Sequence, residues 1–88
     1  MWIAREETRL KKIDGVQVYA RKNDADRPAV LDAIDLDRSK IDAIAEELSR
    51  RGYGVMRQTK ARAGKVRYLL EASWAGDGQP PDEPLAGL

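Results

Sequence analysis

The stretch RRGYGVMRQTKARAGKVRYLLEASW, residues 50–74, decides the fold. It reads as the end of a helix followed by a β-hairpin. Gly52 and Gly54 flank Tyr53 and stop the helix, because glycine takes the left-handed C-terminal position without a Cβ clash. Residues 55–61 then run extended. Arg62-Ala63-Gly64 turns, and Lys65–Trp74 returns with Val66, Tyr68, Leu70, Ala72 and Trp74 in strict alternation. A two-residue Ala63-Gly64 turn would force alanine to positive φ, which it resists. The expected loop therefore has three residues, a type I turn closed by a bulge at Gly64. That register sets Met56 near Leu70 and Gln58 near Tyr68 on the helix-facing side. Arg57, Thr59, Arg67, Leu69 and Val55 then face away.

The helix that this hairpin must cover lies just before it, at residues 37–51. Asp37 is a good N-cap, its carboxylate placed to accept from free N–H groups of the first turn. Ile41, Ile44, Ala45 and Leu48 fall at i, i+3, i+4 and i+7, which makes one apolar stripe. Asp42, Glu46 and Glu47 lie off it. Arg50 and Arg51 close the last turn, where the helix dipole favours cations.

Further back the signals weaken. Residues 29–36 admit two readings. A strand presents Val30, Ile34 and Leu36 on one face, with Asp32 interrupting it. A short helix would start at Pro28 and group Val30, Leu31 and Ile34. The strand is favoured because the piece is short and a helix follows at once. Residues 23–28 form a polar turn, and Pro28 holds Arg27 extended. Val16–Arg21 alternates as a strand. Ile13-Asp14-Gly15 is a turn signal. Residues 6–12 are charged, a loop or one helical turn, and residues 1–5 look strand-like around Trp2 and Ile3. The expected fold is α+β: a three- to four-stranded antiparallel sheet with one helix on one face, in ββαββ order. Residues 1–75 make the single domain. Residues 76–88, rich in Gly, Pro and acid, read as a disordered tail with too little apolar surface to offset its ordering entropy.

Composition narrows the function classes. At 88 residues the chain leaves little room for a deep cavity and its supporting shell. It has no cysteine, so disulfides and thiolate metal sites are excluded. It has no histidine, the usual acid–base residue near neutral pH and a common zinc ligand. Ser39, Ser49 and Ser73 lie in no nucleophile context. Glu46 and Glu47 splay about 100° apart on a helix and cannot converge on one ion. Asp35 and Asp37 can share a strand face but have no third ligand. No glycine-rich phosphate loop is present, since Gly52-Tyr53-Gly54 follows a helix rather than opening one. Trp2, Tyr53, Tyr68 and Trp74 suit packing better than base stacking. The expectation is no enzyme, no cofactor and no metal. The start of the chain is too short and too charged for a secretory signal, and no apolar run approaches the roughly 20 residues that span a bilayer. A cytoplasmic protein without membrane contact is expected.

Net charge is +1, but it is unevenly placed. Between Leu48 and Leu70 stand Arg50, Arg51, Arg57, Lys60, Arg62, Lys65 and Arg67, with no acid. Residues 23–47 are acid-rich. Such a dipolar chain orients on a charged partner or pairs with a copy of itself as a homodimer. Arg57, Lys60, Arg62, Lys65 and Arg67 are the candidate binding residues. They read as a solubilising exposed edge, as a phosphate-contacting arm for nucleic acid or a nucleoprotein, or as a contact for an acidic protein surface. The expected function is a small non-catalytic nucleic-acid-binding protein. The alternative is a protein-binding inhibitor or adaptor of phage or mobile-element type, anti-CRISPR-like, that occludes a partner surface.

The segment IAEELSRRGY, a strand, a basic turn and then VRYLL resembles the last helix and wing of winged-helix regulators. That resemblance would make the helix a DNA reader, although its Asp42, Glu46 and Glu47 would meet phosphates. The same segment is similar to the helix–strand–strand of small toxin ribonucleases of the HicA type. Those depend on a hairpin histidine, which this chain lacks.

Overall fold

The computed structural model describes residues 7–21 and 29–88. They form an α+β fold of five strands and one helix. In chain order these are β1 (Glu7–Ile13), β2 (Val16–Arg21), β3 (Val30–Asp35), α1 (Arg38–Arg50), β4 (Tyr53–Arg62) and β5 (Lys65–Trp74). The strands make one antiparallel sheet in the order β1-β2-β3-β5-β4. The chain leaves β3, crosses the sheet as α1, runs along the far edge as β4, and returns as β5 into the gap beside β3.

The helix follows its sequence pattern. Asp37 caps it, accepting from the Ser39 N–H at 2.9 Å, and Ile41, Ile44, Ala45 and Leu48 are buried. Gly52, at φ 103°, ends it. A Cβ at Gly52 or at Gly76 would fall within 3 Å of the Trp74 ring. The indole therefore lies against both glycines, and its edge meets Tyr53 at 5.2 Å between centroids. Small residues at 52 and 76 are what let a tryptophan close this corner of the core.

One strand assignment differs from expectation. Glu7–Ile13, read as loop or helical turn, is a strand, so the sheet has five strands rather than three or four and the order is βββαββ. Asp14 and Gly15, at φ 50° and 84°, form a two-residue turn that folds β1 back onto β2. As an edge strand β1 carries charge on both faces and bulges between Arg9 and Lys11, which hides the alternation a strand usually shows. Residues 29–36 do hold a strand, but its buried side chains are Leu31 and Ala33. Val30, Ile34 and Asp32 lie on the opposite face. Residues 1–5, expected as a strand, and 23–28, expected as a turn, fall outside the described residues.

The hairpin is one residue tighter than expected. Arg62 pairs with Lys65 and Arg57 with Leu70, so the loop is Ala63-Gly64 alone. Ala63 sits at φ 53° and Gly64 at 77°, as a type I′ turn requires, and its twist matches the flanking strands. The strand twist outweighs alanine's reluctance. A one-residue change in register flips every side chain of β4 to the other face.

The expected disordered tail is also corrected where it meets the core. Leu85 is only 4 % exposed and belongs to the buried cluster, and Leu88 packs against it. Arg51 donates to the carbonyls of Pro84 and Ala86 at 3.0 and 2.7 Å. The Trp74 indole N–H donates to Gly78 O at 3.1 Å. The helix packs over β3, β5 and β4. Residues 82–86 lie beside Leu10 and Lys11 of β1, toward the end of the sheet the helix leaves uncovered.

Candidate functional site

The tight turn and antiparallel registers fix which side chains share the sheet face opposite the helix. Lys12 stands opposite Gln17 on this face at one side of the sheet, and Ile34, Leu69 and Gln58 form a row at the other. The next row inward is Arg9, Tyr19, Asp32, Glu71 and Met56. Toward the hairpin tip, Lys60 stands opposite Arg67 and Arg62 opposite Lys65, all exposed on that same face.

Four of the five sequence-derived candidates therefore converge: Lys60, Arg62, Lys65 and Arg67. The fifth does not. Arg57 was expected on the outer face, but the tighter turn places it on the helix side. There it donates to Asp42 Oδ1 at 2.7 Å. Arg50 and Arg51 are likewise engaged by Glu46 and Glu47 along the helix. By the same flip Met56 and Gln58, expected beneath the helix, stand on the open face.

Among the described residues, none of the four tip cations forms an ion pair. Two acids on the face, Asp32 and Glu71, are paired from within it. Asp32 and Glu71 are opposed across β3 and β5. Arg21 bridges them, with Nε to Asp32 Oδ2 at 2.6 Å, Nη2 to Asp32 Oδ1 at 2.8 Å and Nη2 to Glu71 Oε2 at 2.8 Å. The Asp32 bond leads in raising the already high Arg21 pKa, with Glu71 adding to it against some desolvation. The fork spans two acids that would otherwise repel. A shallow depression lies between this network and the tip, bounded by Tyr19, Arg21, Ile34, Met56, Lys60 and Arg67. Its apolar members are open, with Met56 55 % and Ile34 43 % exposed.

Sequence reasoning missed Arg9 and Lys12, which join the basic face from its far edge. The Asp14-Gly15 turn could have signalled a strand folded back onto β2 with Lys12 on this face, but Arg9 reaches the same face only through the bulge between Arg9 and Lys11, which alternation does not reveal. Among the described residues no group of three acids converges as a metal site, and no helix is long and apolar enough to cross a membrane. Among the described residues α1 alone precedes the hairpin, and what comes before it is strand rather than the further helices of winged-helix proteins. Comparison with protein-family models, curated proteins and solved structures finds no match for this chain.

Proposed function

We propose that this chain is a non-catalytic binding module that lays the open face of its sheet, led by the hairpin tip, on nucleic acid or on the nucleic-acid part of a nucleoprotein. One observation carries the reading: Lys60 faces Arg67 and Arg62 faces Lys65 across the hairpin. Like charges directly opposite in a sheet are destabilising. Two such pairs stacked on one face, without an acid from the described residues to relieve them, suit a polyanion that supplies the countercharge. Arg9 and Lys12 extend the same potential across the sheet.

The test is fluorescence anisotropy with generic duplex DNA and with RNA at two salt concentrations. Four duplex phosphate contacts give a log–log slope of about −3.6, so a fourfold rise in salt should weaken binding roughly 100-fold. Absence of binding at low salt overturns the proposal. The open Met56 and Ile34 favour a second reading, a protein partner with an acidic rim, occluded as an inhibitor would occlude it. Apolar contacts of that kind persist in salt.

A further inference from the structure

We propose that a second copy of this chain pairs antiparallel along the free edge of β4, with the two-fold axis passing through Gln58. Closing a two-residue turn makes Arg62 and Lys65 a hydrogen-bonded pair. The ladder bonds to β5 then recur at Lys60, Gln58, Met56 and Gly54. Val55, Arg57, Thr59 and Ala61 therefore direct their N–H and C=O groups outward. No other strand of the described residues lies on that side. The two edges of the sheet differ. β1 has a bulge and is flanked by residues 82–86. β4 runs ten residues with no register shift and no proline. Long regular edges of this kind are templates for another strand.

The sequence of β4 selects its own copy and a register. A two-fold perpendicular to the sheet keeps both open faces on one side, so opposed residues must share a face. The middle of Tyr53–Arg62 lies between Arg57 and Gln58, which leaves two registers of nearly full overlap. Centring on Arg57 sets that arginine against itself. Centring on Gln58 sets Arg57 against the partner's Thr59, Met56 against the partner's Lys60, Val55 against the partner's Ala61 and Gly54 against the partner's Arg62. In that register no cation of β4 meets another.

A second feature points the same way. On the helix side of the tip, Ala61 and Val66 extend past the helix, and Val66 is 42 % exposed. The helix sits over the base of β4, where Asp42 holds Arg57. The two-fold lays the partner's base beside this tip and so brings the partner's helix toward Ala61 and Val66. The product is one ten-stranded sheet with both basic clusters on one face. The edge uses backbone groups and leaves those clusters free.

The chain has no cysteine, so single cysteines report the register directly. A non-hydrogen-bonded antiparallel pair holds its Cα atoms about 4.5 Å apart, within the range a disulfide spans. Gln58→Cys should therefore convert to a covalent dimer under mild oxidation. Met56→Cys, about 14 Å from its copy at 3.4 Å per residue, should remain monomeric on a non-reducing gel. Analytical ultracentrifugation of the wild type should give twice 9.9 kDa. Gln58→Lys, which opposes like charges on the axis, should return it to the monomer with an unchanged far-ultraviolet circular-dichroism spectrum, and should remove the concentration dependence that dimerisation gives the wild-type melting temperature. A monomeric wild type at 100-micromolar levels, ~10⁻⁴ M, where a contact of about −5.5 kcal/mol would already be half-formed, overturns the proposal, as does cross-linking at residue 56 equal to that at 58.

Discussion

Ala63 offers a direct test of the hairpin. It occupies φ 53° in the turn and is exposed, so a substitution there changes backbone preference with little change in packing. Left-handed backbone costs an L-residue about 1–2 kcal/mol, a penalty asparagine largely escapes. Ala63→Asn, which makes the turn Asn-Gly, should stabilise the domain by about 1 kcal/mol. For a chain of this size that raises the melting temperature by about 4–8 °C. Ala63→Gly should gain less, because glycine's freedom in the unfolded chain returns about 0.4–1 kcal/mol. Ala63→Val, β-branched at positive φ, should destabilise. Thermal and urea melts followed by circular dichroism read all three. If Ala63→Asn is neutral or worse, only Gly64 is left-handed, the loop has three residues, and Arg57 returns to the open face.

Two further outcomes test the core and the helix start. Leu85→Ala should cost about 2–5 kcal/mol, as for other buried leucines, and deleting residues 76–88 should cost at least as much; an unchanged melt would restore the disordered tail. The Asp37 carboxyl is held below its ordinary range, first by the Ser39 hydroxyl and then by the Ser39 N–H. Its stabilising contribution is therefore present above the unfolded carboxylate pKa and is lost as pH falls through the lower folded value. The melting-temperature gap between wild type and Asp37→Ala should accordingly narrow in acid, and a gap independent of pH would refute the charge-based account of the cap.

The helix was legible because its stripe repeats without interruption and both ends carry their own signals, Asp37 and Gly52. The alternation of Tyr68, Leu70, Ala72 and Trp74 likewise fixed the buried face of β5. β1 was not legible, since an edge strand bearing Arg9, Lys11 and Lys12 buries little and shows no alternation of polarity. The face of β4 was lost through one local rule, alanine's dislike of positive φ, which sheet twist overrode. That single residue of register moved Arg57, Met56 and Gln58 together. Leu85 was missed because a lone apolar residue among prolines and glycines carries no period. The same slip changed the face of Lys60 and Arg62, and it is the two-residue turn that sets them opposite Arg67 and Lys65 on the open face.

The account turns on Lys60, Arg62, Lys65 and Arg67 sharing one face while Arg57 lies on the other. The measurement is the salt slope of duplex DNA binding for the fourfold glutamine variant of the tip cations and for Arg57→Gln alone. At about 0.9 per phosphate contact, the fourfold variant should flatten the slope by three to four units. Arg57→Gln should leave the slope at the wild-type value and lose at most about 1 kcal/mol of stability with its exposed pair to Asp42. A slope that Arg57→Gln flattens by a full unit, or that the fourfold variant leaves unchanged, would contradict it.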